Sequence, residues 1–383
     1  MCGICGISYS DHETPKQQVL EAMTQAIVHR GPDSDGFHVE PGVGLGVRRL
    51  AIIDVKGGDQ PIPNEDESLW IVFNGESHNF PDLYADLFKR GHEFRTRSDT
   101  ECILHLYEEY GDDCVKHLRG QAAFALWDRK NKKLLLARDR MGKKPLYYTI
   151  QQGRLYFASE LSALFAALPQ QPDVNLEAID LYLSLQYIPD PLTAYQEIFK
   201  LPPAHRLIWQ HGAATIERYW DYTYQPKHTA SEEELIEELR ALLKESVKMR
   251  LISEVPLGAH LSGGIDSSII VALMAELSNA PVKTFSVGFE EEAFSELEYA
   301  RAIAQRYSTD HHEFILKYGD IPSTLESLTY HFGEPFADAS AIPLYHISKM
   351  TREHVTVVLN GDGGDEGFAG YQRYWLDPIA NTY

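Results

Sequence analysis

The sequence has 383 residues, of which 44% are hydrophobic and 24% charged, a composition typical of globular proteins with room for two or three domains. Its formal net charge of −21 argues against a nucleic-acid partner, because a phosphate backbone would be repelled over most of the surface. The chain contains no apolar run of membrane-spanning length and does not begin like a secretion signal, so we expect no membrane partner. Four cysteines do not form a disulfide scaffold in a chain this long, which favours the cytoplasm.

The first feature along the chain is a cysteine directly behind the initiator methionine. If Met1 is removed, Cys2 carries both a thiol and the free α-amine, which titrates near neutrality and can act as the base for that thiol. Cys2 and Cys5 also form a CxxC pair, a spacing found in redox and zinc proteins. Cys102 and Cys114 are too widely spaced to complete a zinc site simply, and we expect Cys5 to be a buried apolar residue.

Short strand-like runs dominate the first half of the chain. Strands are predicted at 4–9, 44–53, 69–73, 121–128 and 133–138, the last two joined by a hairpin turn. Apolar residues at helical spacing predict helices at 16–29 and 99–110. Clustered strands with a few packed helices indicate an α+β layered domain.

A different pattern follows. A capping box at 231–234 predicts the start of a helix. Strands and helices then alternate at 255–261, 266–277, 282–287, 295–307, 312–315 and 355–359. Such alternation is typical of a parallel sheet with crossover helices, which binds ligands at the carboxyl ends of its strands. We therefore predict two domains, 1–215 and 216–383.

Two glycine-rich loops follow predicted strands of the second domain. The loop at 262–268 (SGGIDSS) leads into a helix, whose N-terminus favours phosphate, and its glycines let the backbone approach phosphate oxygens. It does not match the GxxxxGK(S/T) pattern of a Walker loop. The loop at 360–366 (NGDGGDE) places three carboxylates among three glycines, a pattern open to a surface turn or to Mg²⁺ binding. Together the loops predict a nucleotide site.

The order of these features resembles the glutamine-hydrolysing asparagine synthetases. The matching motifs are MCGI at 1–4, HRGPD at 29–33, RLAI at 49–52, NGE at 74–76, SDTE at 98–101, RDRMG at 138–142, LPP at 201–203, RYW at 218–220, the loop at 262–268, EPFAD at 334–338 and the segment 361–371. The resemblance implies an αββα sandwich of the Ntn-hydrolase type followed by an α/β parallel-sheet ATP-pyrophosphatase domain. Family members continue into a helical segment with a lysine that assists adenylation, so we expect the second domain to be C-terminally incomplete.

The resemblance also implies roles in the first domain. Cys2 would attack the side-chain amide of glutamine, and Asn74 and Gly75 would stabilise the oxyanion of the resulting intermediate. The implied glutamine-binding residues are Arg49, Glu76 and Asp99. From the residues alone, Arg49 could equally form a salt bridge, and Asp99 could cap the helix that follows it.

In the second domain the resemblance implies a site for ATP and Mg²⁺. The implied ATP-binding residues are Leu261, Ser262, Gly263, Gly264, Asp266, Ser267, Val287 and Gly361. Asp266 would act through Mg²⁺, and Asp362 would support formation of an aspartyl adenylate. The implied substrates are glutamine, aspartate and ATP, and we consider a homodimer as the assembly.

One departure from the family and three alternatives bear on this hypothesis. The family's NGEIYN is NGESHN at 74–79 here, so Ser77 and His78 are expected to alter glutamine binding. A related amidotransferase could aminate another carboxylate, and a shortened chain could keep only glutaminase activity or a non-catalytic interaction role. A CxxC redox or metal protein is the least favoured hypothesis.

Overall fold

The computed structural model describes residues 1–11, 13–290, 295–317, 319, 321–374 and 376. The chain divides into two compact units. The first comprises Met1–Lys227 and Ser327–Asp338, and the second comprises His228–Glu326 and Ala339–Tyr383. The domain boundary after residue 215 stays a prediction.

The first unit is built on two antiparallel sheets. Its strands are β1 (Gly3–Tyr9), β2 (Ser34–Glu40), β3 (Val43–Arg49), β4 (Ile62–Pro63), β5 (Leu69–Ser77), β6 (Gly120–Asp128), β7 (Lys133–Arg138), β8 (Tyr147–Gln151), β9 (Arg154–Ala158), β10 (Phe199–Lys200), β11 (His205–Gln210) and β12 (Ala213–Arg218). Its helices before residue 228 are α1 (Gln17–Ala26), α2 (Phe80–Arg90), α3 (Asp99–Tyr110), α4 (Leu161–Ala167) and α5 (Leu176–Leu185). Among the described residues one sheet has the order β10-β8-β9-β1-β3-β2 and the other β12-β11-β7-β6-β5-β4.

The two sheets face each other across an apolar core, with helices on their outer faces. Ile4 of β1 and Phe157 of β9 share this inner core with Val72 of β5. A second core joins α1 and α4 to the outer face of the first sheet, and a third joins α3 to the outer face of the second. Along β6, Ala123 and Ala125 belong to the inner core whereas Phe124 lies in the outer one, as the two-residue period of a strand requires. The expected αββα sandwich is confirmed.

The predicted elements of the first unit are present, with several ends displaced: β5 continues to Ser77 beyond the predicted end at 73, and α1 ends at Ala26 rather than 29. The strand predicted at 44–53 ends at Arg49 instead. The next residues form a loop, because the Arg49 guanidinium draws the carbonyls of Ile53, Asp54 and Val55 towards itself. The helix predicted at 99–110 has the predicted bounds.

From residue 228 onwards strands and helices alternate as predicted. They are α6 (Glu232–Arg250), β13 (Leu257–His260), α7 (Ile265–Leu277), β14 (Lys283–Phe289), α8 (Leu297–Tyr307), β15 (Asp310–Leu316), α9 (Ile321–Phe332), α10 (Ala341–Thr351), β16 (Val357–Leu359) and α11 (Gly364–Phe368). The strands form a parallel sheet of order β15-β14-β13-β16. The predicted capping box is present: the Ser231 hydroxyl accepts the Glu234 N–H, and the Glu234 carboxylate accepts the Ser231 N–H. Among the described residues, no helix is both long and apolar enough to cross a membrane.

The inner core offers a direct test of the sandwich. Replacing Phe157, which is fully buried, by Ala should lower the free energy of unfolding by about 3–5 kcal/mol, because the apolar side chain is lost and a cavity remains. Urea denaturation followed by tryptophan fluorescence measures this, since four of the five tryptophans precede residue 228. Phe88→Ala on α2, where the ring is 62% exposed, is the control and should change stability by less than about 1 kcal/mol. Equal losses for the two variants would contradict this assignment of the core.

Candidate functional site

Cys2 lies immediately before β1 and is held by neighbouring backbone and by one arginine. Its Sγ lies 3.4 Å from the Leu50 backbone nitrogen, which donates to it, and 3.7 Å from the Leu50 carbonyl oxygen. The Arg30 Nε donates to the Cys2 carbonyl at 3.0 Å. Burial raises the pKa of the Cys2 thiol, whereas the Leu50 N–H, the N-terminal amine and the Arg49 charge lower it. The resting residue is therefore a neutral thiol in surroundings that partly favour the thiolate.

The HRGPD motif explains how Arg30 is fixed. The Glu160 carboxylate accepts the Arg30 Nη1–H at 2.9 Å and lies 3.0 Å from the His29 Nε2. Gly31 lies so close to β3 that a Cβ there would be 2.2 Å from the Arg48 carbonyl carbon. The motif thus lets the chain pass close to β3 at Gly31 and places the Arg30 guanidinium on the Cys2 carbonyl.

Asn74 lies on β5, on the inner face of the second sheet. Ile4 and Val72 both belong to the inner core, and the two-residue period of a strand places Asn74 on the same face as Val72, and Cys2, just before β1, on the same face as Ile4. Asn74 is fully buried, yet neither its Nδ2 nor its Oδ1 has a hydrogen-bond partner among the described residues. An unpaired buried amide costs about 1–3 kcal/mol, so its presence beside a candidate nucleophile indicates a position that binds a ligand atom.

Gly75 follows Asn74 and cannot carry a side chain without displacing backbone. A Cβ at this position would lie 2.0 Å from the Gln121 carbonyl oxygen on β6. The glycine thus keeps β5 and β6 paired at the point where the Asn74 amide is presented.

Arg49 ends β3 and is almost completely buried. Its Nη1 donates to the Val55 carbonyl at 3.2 Å and to Asp59 Oδ1 at 2.9 Å, and its Nη2 donates to the Asp54 carbonyl at 2.7 Å. The salt-bridge alternative is therefore present in this structure. The Asp59 side chain is 70% exposed, so its carboxylate is the contact that a substrate carboxylate could replace most readily.

Asp99 is the first residue of α3 and not its N-cap, so the capping alternative is wrong. Ser98 is the N-cap, with its hydroxyl accepting the Thr100 N–H at 3.2 Å. Asp99 Oδ2 instead accepts the Ser77 N–H at 2.8 Å. Burial raises the pKa of the Asp99 carboxyl to about 6, against the backbone hydrogen bonds of Ser77 and Thr100. The Asp99 and Arg49 charges both act on the Cys2 thiol, so the structure brings these three residues together.

The two residues that depart from the family pattern are buried polar groups. The Ser77 hydroxyl lies 3.2 Å from Asn79 Oδ1, and the His78 N–H donates to the Arg119 carbonyl at 2.9 Å. His78 Nδ1 also lies 3.8 Å from Glu76 Oε2. Their effect on glutamine binding stays a prediction.

Lys144 is a charged neighbour of Cys2 that the sequence analysis did not single out. Its side chain is buried, and its ammonium contacts the sulfur of Met1. Burial, together with the Arg30 charge, lowers the pKa of Lys144 to about 8, although the charges of Glu76, Asp139 and Cys2 oppose this. The backbone of Lys144 is fixed because its N–H donates to Asp139 Oδ2 at 3.0 Å. The RDRMG motif that precedes it was the available signal.

The second unit presents its first glycine-rich loop after β13. The Ser262 and Ser267 hydroxyl oxygens lie 3.0 Å apart, and the Gly264 N–H donates to the Ser262 hydroxyl at 3.2 Å. Gly263 has φ +88° and packs against Tyr299, whose Cβ would lie 2.5 Å from a Cβ at position 263. The loop is thus closed by its serines and leads directly into the N-terminus of α7.

The second glycine-rich loop meets the first because β13 and β16 are neighbours in the parallel sheet. A Cβ at Gly361 would lie 2.8 Å from the Asp266 Cβ. A Cβ at Gly364 would lie 2.4 Å from the carboxylate carbon of Asp266. Burial raises the pKa of Asp266, and the charges of Asp365 and Glu366 raise it further. The structure therefore gathers three carboxylates at the carboxyl ends of adjacent strands, where they repel one another and a cation would relieve the repulsion.

The remaining predicted residues of this unit lie beside the two loops. Asp362 Oδ2 accepts the Asn360 Nδ2–H at 2.6 Å. Leu261 is buried in the core between β13, α7 and α8, and its backbone N–H already donates to the Phe285 carbonyl while its carbonyl accepts the Ser286 hydroxyl. Val287 is partly buried on β14, next to Phe285 and Val358.

Comparisons with known proteins agree with both halves of the chain. Residues 1–220 match the model of the glutamine amidotransferase domain, and residues 238–382 match the model of asparagine synthase. The glutamine-hydrolysing asparagine synthetase 1 of Bacillus subtilis is 40% identical over 379 residues, covering 98% of this chain and 59% of its own length. A Methanocaldococcus jannaschii protein named "Putative asparagine synthetase (glutamine-hydrolyzing) 2" is 38% identical over 399 residues, covering 98% of this chain and 76% of its own.

A third relative carries a different name. The amidase chyE of Penicillium rubens is 32% identical over 411 residues, covering 99% of this chain and 60% of its own length. The chain thus spans about three fifths of the length of two of these three relatives. The two domain models, in this order, and the identity to the synthetases lead to one conclusion: the chain belongs to the family of glutamine-hydrolysing asparagine synthetases.

Proposed function

We propose that this protein is a glutamine-dependent asparagine synthetase. It hydrolyses glutamine to glutamate and ammonia at Cys2, and it uses ATP to activate aspartate for amidation, releasing AMP and pyrophosphate. The observation that carries the proposal is the fully buried Asn74 amide, unpaired among the described residues, on the strand that faces β1 and Cys2. A cytoplasmic location and a homodimeric assembly belong to the same proposal.

The chemistry at Cys2 needs a base, and the α-amine supplies one once Met1 is removed. As the Cys2 sulfur attacks the amide carbon of glutamine, the amine takes the thiol proton, and the carbonyl oxygen becomes an oxyanion. The Asn74 Nδ2 and the Gly75 N–H stabilise this oxyanion, and each donor contributes about 2.7–4 kcal/mol. The amine then returns the proton to the departing ammonia, and water hydrolyses the γ-glutamyl thioester to glutamate.

The substrate's α-carboxylate and α-amine are bound by opposite charges. The substrate carboxylate replaces Asp59 on the Arg49 guanidinium, which is already oriented by the loop carbonyls. Asp99 binds the α-ammonium group, and Glu76, which is also near Lys144, assists. Arg30 and the Leu50 N–H keep the cysteine in place during the attack.

The second unit would catalyse adenylation. The aspartate β-carboxylate attacks the α-phosphorus of ATP and expels pyrophosphate, and ammonia then displaces AMP from the acyl carbon. The Ser262–Ser267 hydroxyl pair and the N-terminus of α7 bind phosphate oxygens, while Gly361 lets the nucleotide approach the backbone. Mg²⁺, when bound by Asp266, neutralises phosphate charge. Asp362 supports the adenylation step.

A second candidate differs only in the acceptor. The 32% identity to an amidase over 99% of this chain favours keeping an amidotransferase that acts on another carboxylate as the alternative. Both candidates share the chemistry at Cys2, so they separate on the acceptor dependence of pyrophosphate release.

Replacing the nucleophile tests the glutaminase half. Cys2→Ala should reduce glutamate release from glutamine by at least about 1,000-fold, because the thioester cannot form. Cys5→Ala removes a fully buried thiol three residues away and is the matched control, with activity expected within a few-fold of wild type. An intact mass shows whether Met1 has been removed. Undiminished glutaminase activity in Cys2→Ala would overturn the mechanism.

The buried Asp99 predicts a pH-dependent stability difference. Its pKa rises from 3.8 in the unfolded chain to about 6 in the folded protein, so the folded state binds the proton more tightly. The stabilisation is present below pH 3.8 and is lost as the pH rises through about 6, a decrease of about 3 kcal/mol. Asp99→Asn should lack this decrease. Urea denaturation of both proteins at pH 4.5 and 7.5 should record about 2 kcal/mol of this decrease, the part that lies above pH 4.5, and identical pH dependence in the two would contradict it.

Asp266 tests the nucleotide site. Asp266→Asn should weaken binding of ATP in the presence of Mg²⁺ by about tenfold or more, because the carboxylate that holds the ion is lost. Isothermal titration calorimetry measures the affinity. Asp310→Asn, at the amino end of β15 and thus at the opposite edge of the sheet, is the control and should bind ATP like wild type. Unchanged affinity in Asp266→Asn would contradict the assignment.

A further inference from the structure

Two imidazoles and two carboxylates converge on the outer side of the first unit, further along α3 than Asp99. This His–Glu cluster consists of Glu65, His92, His105 and Glu108, and its ligand atoms all lie within 4.8 Å of one another. His105 and Glu108 share one face of α3 because they are three residues apart. His92 directly follows Gly91, the C-cap of α2, and Glu65 lies between β4 and β5. Three separate segments therefore contribute one set of ligands.

The atoms of the cluster are arranged like ligands of a single ion. Glu108 Oε2 lies 2.7 Å from His105 Nδ1 and 3.1 Å from His92 Nδ1. Glu65 Oε1 lies 3.9 Å from His105 Nδ1. Ligands of a tetrahedral zinc ion with bonds of about 2.0–2.1 Å lie roughly 3.3 Å from each other, which is within this range of separations.

Both imidazoles turn their other nitrogen towards a carboxylate outside the cluster. His92 Nε2 lies 3.1 Å from Glu109 Oε1, whereas His105 Nε2 lies 3.8 Å from Glu101 Oε1, too far for a hydrogen bond, and has no hydrogen-bond partner among the described residues. Glu101 is in turn fixed by the backbone N–H groups of Arg95 and Thr96. A histidine that binds a metal ion almost always directs its second nitrogen to such a carboxylate, which sets the tautomer and leaves the first nitrogen free to coordinate.

The carboxylates of the cluster are oriented by partners of their own. Glu108 Oε1 accepts the Asn64 Nδ2–H at 2.7 Å, so Oε2 is directed at the two imidazoles. Glu65 Oε1 accepts the Glu93 N–H at 3.2 Å. Glu65, His92 and Glu108 are therefore each oriented by a group outside the cluster.

A network of ion pairs is the competing explanation. Both Nδ1 atoms lie within 3.1 Å of the same Glu108 oxygen, so an ion-pair network would need two Nδ1–H groups to point at one oxygen. One divalent ion at the centre would neutralise Glu65 and Glu108 while both imidazoles stay neutral, so that the fully buried His105 would carry no charge of its own.

We propose that the His–Glu cluster is a structural metal site that binds Zn²⁺. Two imidazole nitrogens with two carboxylate oxygens suit zinc, whereas Mg²⁺ and Ca²⁺ prefer oxygen ligands alone. Four protein ligands leave no open position for a reaction, so the role is structural. The ion joins the β4–β5 loop and the end of α2 to α3, the helix whose first residue is Asp99. The site thereby stabilises the element on which a candidate substrate-binding residue stands, and it does not depend on the proposed activity.

Stoichiometric binding is the first test. Tag-free protein, stripped with a chelator and dialysed, should bind one equivalent of Zn²⁺ in calorimetric titration, with affinity unchanged in Cys2→Ala. Retention of zinc by that variant excludes the CxxC pair as the binding site. Binding of Co²⁺ should give the visible spectrum of a tetrahedral ion without a thiolate charge-transfer band. A wild-type protein that binds no zinc, or a spectrum with thiolate charge transfer, would overturn the proposal.

Matched variants locate the ion. His92→Gln and Glu65→Gln should each weaken zinc binding by at least about 100-fold, because each removes one ligand. Mutating only a hydrogen-bond partner of a metal ligand already weakens metal binding by about 10–100-fold. Glu67→Gln is the control, because Glu67 lies in the same loop as Glu65 but pairs with Arg95 instead. It should bind zinc like wild type.

Thermal stability provides a readout that does not require activity. Saturating Zn²⁺ should raise the midpoint of thermal unfolding of the stripped wild type and of Glu67→Gln, but not of His92→Gln or Glu65→Gln. Circular dichroism of the stripped variants confirms that they fold. Equal zinc affinity in wild type and His92→Gln, or an equal thermal shift in all four proteins, would show that the cluster is an ion-pair network.

Discussion

The packing of β1 against β5 across the inner core determines where the chemistry of the first unit can occur. Ile4 and Val72 both lie in this core, and the two-residue period of each strand places Cys2 on the face of Ile4 and Asn74 on the face of Val72. A register shift of one residue in either strand would turn its polar group to the opposite face. The apolar side chains therefore align Cys2, the proposed nucleophile, with Asn74, the proposed oxyanion donor.

Burial also changes how the Cys2 thiol becomes reactive. A desolvated thiol holds its proton more tightly, so charges beside Cys2 determine its reactivity more than they would in water. Arg49 and the Leu50 N–H favour the thiolate, whereas Asp99 opposes it. The balance leaves a neutral thiol at rest, which fits a base that takes the proton only during the attack. An exposed thiolate would be open to oxidation before substrate arrived.

The sequence was most informative where pattern and motif coincide. The strands of the second unit were predictable because buried parallel strands are short apolar runs between helices, and Cys2, Arg49 and Asp99 were identified through motifs. α2 and the strands from β8 to β12 were missed, because their burial alternates weakly or depends on partners far along the chain. The contacts of Leu50 with the thiol involve backbone atoms, which leave no trace in composition.

Side chains that act together but come from separate segments are the hardest to find by sequence. Glu65, His92 and His105 show no recognisable spacing, because only the fold places the β4–β5 loop, the end of α2 and α3 side by side. The same holds for Asp266, which meets Gly361 and Gly364 only because β13 and β16 are neighbours in the sheet. In both cases glycines or hydrogen-bonded carboxylates fix the approach of the segments. Position in the fold, more than the identity of any one residue, therefore turns ordinary side chains into a site.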